Sequence, residues 1–94
     1  MENYEIELKK LKGRFDKDDL RIGKKLAEGC YNEHRGYEFS IETLRQSENN
    51  EAEIFENFNK NITDFWKKVY ELNEDELKIY FEALREFCIY MGMD

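Results

Sequence analysis

The sequence predicts an all-α protein, a small bundle of about four helices that ends in an antiparallel helical hairpin. Three observations carry that expectation. Apolar residues of the last third recur at alternating intervals of three and four: Phe55, Phe58, Ile62, Phe65, Val69 and Leu72, then Leu77, Tyr80, Leu84, Phe87 and Met91. That period keeps side chains on one stripe of an α-helix and would scatter them over both faces of a strand. The chain also contains no proline and only five glycines in 94 residues, so little in it breaks a helix. Finally, residues that cap helix N-termini stand at the joints between the periodic stretches.

Taken in order, residues 3–15 read two ways. Tyr4, Leu8, Leu11 and Phe15 fit a helix, whereas Tyr4, Ile6 and Leu8 alternate like a strand. Tyr37, Phe39 and Ile41 alternate as well, so an α+β fold with a minor two-stranded element joining 3–12 to 37–43 is the alternative. The dominance of Glu, Lys and Leu over residues 5–12 favours helix.

Asp16, with Asp19 three residues on, marks the start of a second helix, and Phe15 and Leu20 are placed as a hydrophobic staple across that start. Ile22, Leu26 and Cys30 give it a thin apolar stripe. Gly23 interrupts it at a cost of about 1 kcal/mol relative to alanine, and Gly29 is placed to stop it. Ser40, followed by Glu42 and Thr43, opens a short helix that ends near the polar run Ser47–Asn50.

The hairpin follows over residues 50–92. Asn50 caps its first helix, Glu51 and Glu53 complement the dipole, and Glu56–Lys60 and Asp64–Lys68 are spaced to pair on its outer face. Asn73 and Glu76 form the signature of a capping box for the last helix, with Leu72 and Leu77 as its staple. Residues 77–91 are apolar over about 120°, widening to about 200° with Ile79, Ala83 and Tyr90. One neighbour cannot cover that arc. The hairpin therefore needs cover from residues 1–45, from a second chain, or from both. Ile79, Ala83, Ile89 and Tyr90 are the candidate self-association residues of a homodimer.

Ninety-four residues suffice for a single domain with a modest core, here with a less regular half over 1–45. A hydrophobic content of 40%, with 15% aromatic, excludes global disorder despite 39% charged residues. No apolar run approaches the roughly 18 residues of a membrane span and no signal-peptide pattern opens the chain, so a cytoplasmic protein is expected. Cys30 and Cys88 then read as reduced thiols.

The net charge of −7 is uneven: nine basic against eight acidic residues over 1–35, but six against fourteen over 36–94. An acidic body repels nucleic acid and favours basic partners. A non-catalytic protein-interaction module is therefore expected, one that binds and inhibits or regulates a larger basic protein, with carboxylates standing in for phosphates. The candidate contacts are Glu48, Glu51, Glu53, Glu56, Glu74, Asp75, Glu82 and Glu86. The alternative is a small dimeric nucleic-acid-binding regulator that uses Lys9, Lys10, Arg14, Arg21, Lys24 and Lys25 of the locally basic segment 9–25. Arg21-Ile22-Gly23-Lys24-Lys25-Leu26 resembles the opening of phage-repressor-type helix-turn-helix domains, and Ser40-Ile41-Glu42-Thr43-Leu44 the start of their second helix. The resemblance implies DNA binding, but the gap between the two pieces is too long and no base-reading helix follows.

Catalysis is not expected, nor a metal or other cofactor. His34 is the sole histidine, spaced i, i+4 from Cys30, which falls short of the four ligands of a closed zinc site even with Cys88 added. Position 31 is Tyr31, so the Glu-x-x-His pattern of di-iron bundles is absent, and no phosphate-binding glycine motif occurs.

Overall fold

Side chains that satisfy backbone N–H groups left without a partner inside the helix set the starts of three helices, while the N-terminal helix begins after Glu2 with no side-chain cap. The computed structural model describes residues 2–27, 39–45, 54, 56 and 62–92. Its regular elements are α1 (Asn3–Lys10), α2 (Lys17–Ala27), α3 (Ile41–Arg45), α4 (Ile62–Tyr70) and α5 (Glu74–Tyr90). The protein is all-α, with no strand among the described residues. The two-stranded alternative is thereby corrected, since residues 3–10 and 41–45 are helical; Tyr37 lies outside the described residues.

Three of the expected caps are formed. At α2 the Asp16 N–H donates to Asp19 Oδ2 (2.9 Å) and the Asp19 N–H donates to Asp16 Oδ1 (3.0 Å). At α3 the Thr43 N–H donates to Ser40 Oγ (3.1 Å). At α5 the Asn73 N–H donates to Glu76 Oε1 (3.0 Å) and the Glu76 N–H to Asn73 Oδ1 (2.8 Å), a closed capping box. The Asn50 cap and the Gly29 stop lie outside the described residues.

Between α1 and α2 the chain reverses through two left-handed residues, Lys12 (φ 56°) and Gly13 (φ 77°). Glycine adopts that conformation freely, whereas lysine meets a steric cost. The reversal returns Phe15 to the core beside Tyr80, with ring centroids 5.0 Å apart.

The helix α5 is central, as the width of its apolar arc requires. Tyr80, Ala83, Leu84, Phe87 and Cys88 are fully buried. Its principal neighbour is α1, which runs antiparallel to it. Tyr4 packs on Phe87 edge-to-face at 5.2 Å and against Tyr90, also at 5.2 Å, while Asn3 donates to Glu86 Oε2 (3.3 Å). Farther along, Arg14 pairs with Glu76 near the start of α5.

The second neighbour, α2, comes so close that a Cβ at Gly23 would lie 2.5 Å from Tyr80 Oη and 3.1 Å from both Leu84 methyls. Gly23 is therefore the site of a close helix crossing, and the propensity cost inferred from sequence is offset by packing.

Most of the first half of the expected hairpin, residues 50–61, lies outside the described residues. Although α4 precedes α5 directly, no other described helix runs backbone-to-backbone along α4. It reaches α5 through Phe65, whose ring lies 6.3 Å from that of Tyr80. Nor do the ends of the seam stay inside: Leu72 and Leu77 are half-buried and Met91 is exposed.

Candidate functional site

The acids expected to form one face divide into two groups. Glu74 and Asp75 are exposed in the first turn of α5, and Glu56 is exposed farther back; none has a partner among the described residues. Glu82 and Glu86 lie two and three turns on from Glu74, about 12 and about 18 Å along the axis, and are half-buried and engaged. Arg85 Nη2 donates to Glu82 Oε1 (2.6 Å) and Glu86 Oε1 (3.0 Å), its Nε donates to Glu82 Oε2 (3.3 Å), and Asn3 adds its bond to Glu86. The hydrogen bond from Arg85 holds the Glu82 carboxyl below the usual carboxylate range, its charge and that of Lys10 adding to the effect, and Glu82 in turn raises the Arg85 guanidinium. Glu48, Glu51 and Glu53 lie outside the described residues.

Glu71 is an exposed acid that sequence reasoning missed. It opens the turn after α4, ahead of Glu74 and Asp75 in the chain. Its position off the apolar stripe was the available signal.

The basic segment is largely committed within the chain. Lys10 pairs with Glu7 (3.0 Å), Arg14 with Glu76 and the Leu11 carbonyl, and Arg21 with Asp18 (3.2 Å). Lys24 and Lys25 are half-buried, and Lys9 is exposed. On α3, the Arg45 guanidinium lies 4.9 Å over the Tyr70 ring.

Of the residues assigned to self-association, Ala83 is corrected: it is fully buried on the Tyr80–Phe87 face of α5, where the chain's own core covers it. Ile79 is half-buried against the same core. Ile89 (48% exposed) and Tyr90 (49%) remain accessible, together with Met91 (50%). At 100° per residue, these three consecutive side chains point to three sides of the helix.

Inside the molecule is an arrangement that sequence reasoning saw only in part. Asp19 is a cap, but its carboxylate is also buried and accepts from Lys68 Nζ at 2.6 Å. Lys68 thus turns inward instead of pairing with Asp64 four residues earlier, and its ammonium lies 4.8 Å from the centre of the Phe15 ring. The Tyr80 hydroxyl donates to the Asp19 carbonyl (3.1 Å). Burial, reinforced by the negative charge of Asp19 and by Cys88, pushes the Tyr80 hydroxyl well above its ordinary pKa, so it is a neutral donor. These groups satisfy one another, as buried polar groups must.

Among the described residues no three His, Cys, Asp or Glu side chains converge as metal ligands, and no helix is long and apolar enough to cross a membrane. Cys88 is a buried thiol; Cys30 and His34 lie outside the described residues. Comparison with protein-family models, with curated proteins and with solved structures finds no match.

Proposed function

We propose that this chain is a non-catalytic interaction module that binds a larger basic protein through its acidic exterior and so inhibits or regulates it. One observation carries this reading. The described arginines, Arg14, Arg21, Arg45 and Arg85, are all engaged within the chain, while Glu56, Glu74 and Asp75 are exposed without a partner among the described residues. Arginine is the side chain best suited to phosphate, so its commitment in cis weakens the nucleic-acid alternative. The unpaired acids leave a surface that steers basic molecules.

The turn at Asn73 gives two of these acids a fixed position. The capping box anchors the first turn of α5, and Glu74 and Asp75 project from a helix whose opposite face is locked into the core. Charge presented on a rigid element loses little conformational entropy when a partner binds.

Affinity capture from the source cell, repeated at low and high salt with wild type and with the Glu74→Lys/Asp75→Lys variant, tests the reading. A basic partner should be retained at low salt and released at high salt, and the variant should bind it roughly tenfold or more weakly. Salt-insensitive capture, or equal binding by the variant, would overturn it. Salt-dependent affinity for duplex DNA in a gel shift would instead favour the basic segment.

A further inference from the structure

We infer, resting on the reading above that a basic protein is bound, that it docks at the corner between α4 and α5 and that Tyr70 selects an arginine of that partner. Arg45 holds the place of that arginine on the ring until the partner arrives. Over residues 70–75 the chain passes from the last residue of α4 into the first turn of α5. That stretch holds three acids and no base, and Tyr70, Glu71, Glu74 and Asp75 are all exposed in it. Carboxylates draw a cation in from a distance, and an aromatic ring holds it on arrival. Tyr70 is 46% exposed, open enough to take one.

The chain itself shows what the ring accepts. The Arg45 guanidinium, from the end of α3, lies 4.9 Å from the centre of the Tyr70 ring. Tyr70 also stacks on Trp66, the two rings 5.9 Å apart and 26° from parallel, which orients it from within the chain. Arg45 has neither a carboxylate nor a hydrogen-bond partner among the described residues, so the ring contact is what holds it. At an exposed site such a contact is worth about two- to fivefold in an equilibrium, little enough for another guanidinium to displace. A partner's arginine gains on the same ring what Arg45 lacks, a carboxylate in the same corner. Lysine fits less well, because its compact ammonium holds water tightly, whereas the planar guanidinium is weakly hydrated and stacks. The corner therefore separates basic partners of equal charge by their arginine content. Tyrosine and arginine are also among the side chains that carry most of the binding energy in protein interfaces.

Calorimetric titration of the full chain with octa-arginine and with octa-lysine, at one low ionic strength, tests this. Wild type should bind octa-arginine more tightly. Tyr70→Leu should lower that preference by about two- to fivefold, and Tyr70→Phe, which keeps the ring, should preserve it. Arg45→Gln clears the ring and should raise the preference by a similar factor; the lost positive charge alone would tighten both peptides alike. Glu74→Lys/Asp75→Lys should weaken both peptides and leave the preference in place. Tyr70 and Arg45 are exposed, so these substitutions leave the core untouched. A preference unmoved by Tyr70→Leu or by Arg45→Gln would overturn the inference, and salt-sensitive binding of both peptides would then leave the acidic-exterior reading standing. Binding of neither peptide would remove that reading and the inference with it.

Discussion

Two helices, α1 and α4, compete in the sequence for the role of partner to α5, and the structure gives them different parts. Helix α4 is adjacent in sequence and shares a heptad rhythm, and it brings Phe65 and Val69 into the common core, with the Phe65 ring 6.3 Å from that of Tyr80. Helix α1 starts more than sixty residues earlier, has a less regular pattern, and lies along α5 from Tyr4–Phe87 at one end to Arg14–Glu76 beyond the other. A period of three and four decides which face is apolar but says nothing about how closely two faces approach. At Gly23 even a Cβ would lie 2.5 Å from Tyr80 Oη, so α2 meets α5 closely, while Phe65 of α4 meets Tyr80 ring to ring at 6.3 Å.

The contrast between α1 and α4 should be plainest at two buried phenylalanines, Phe87 of α5, on which Tyr4 of α1 packs, and Phe65 of α4. Phe87→Ala removes a fully buried ring that packs on Tyr4 of α1 and should cost about 4–5 kcal/mol, whereas Phe65→Ala, on a helix along which no described helix packs closely, should cost about 3 kcal/mol. Urea midpoints at unchanged slope read both values. Equal costs would mean that α4 is packed as tightly as α1.

A smaller difference separates the buried polar tie of α4 from an exposed one of α1. Asp19→Asn weakens the α2 cap and leaves Lys68 without its carboxylate. Because the Lys68 side chain is 37% exposed and can turn to water, the cost should be about 2–3 kcal/mol, toward the lower end for a buried pair. Asn3→Ala, which removes only the exposed bond to Glu86, should change stability by less than about 0.5 kcal/mol. Thermal melts of the two variants check the ranking.

Tyr80, which both α2 and α4 touch, adds a dependence on pH. Its folded pKa lies well above 10.0, its ordinary value. At high pH the unfolded chain therefore releases a proton that the folded chain keeps. The stabilisation is complete below about pH 10 and is lost as pH rises further, with a limiting slope of about 1.4 kcal/mol per unit. Tyr80→Phe should cost about 1 kcal/mol at neutral pH, the worth of its hydrogen bond to Asp19, and should flatten the alkaline fall. Denaturant titrations at pH 8 and above pH 10 measure both. Lys12→Gly, which relieves a left-handed lysine, should stabilise by at most about 1 kcal/mol, read as a small rise in Tm.

What was legible in the sequence was local. The caps at Asp16, Ser40 and Asn73 depend on residues three apart and were recoverable from spacing alone. So was the centrality of α5, because an arc of that width admits no other place. What stayed hidden depends on distance in the chain. Asp19 and Lys68 are 49 residues apart, and Lys68 had a nearer acid, Asp64, at a spacing that satisfies every local rule. Gly23 read as a flaw in a helix because the side chains that need its missing Cβ come from α5. The acidic exterior was legible as composition. Its division into Glu74 and Asp75, without a partner among the described residues, and the engaged Glu82 and Glu86 was not, because Asn3 reaches Glu86 only once α1 is docked.

The rigid presentation of that exterior rests on α5 being gripped from within, and the grip is tightest at Gly23. The stability of Gly23→Ala measures it most directly, because helix propensity and close packing predict opposite signs there. Propensity alone gives a gain of about 1 kcal/mol. With Tyr80 held by Asp19 and Leu84 fully buried, the added methyl has nowhere to go, and a loss of about 1–3 kcal/mol is expected. A variant as stable as wild type, or more so, would contradict the close crossing of α2 and α5.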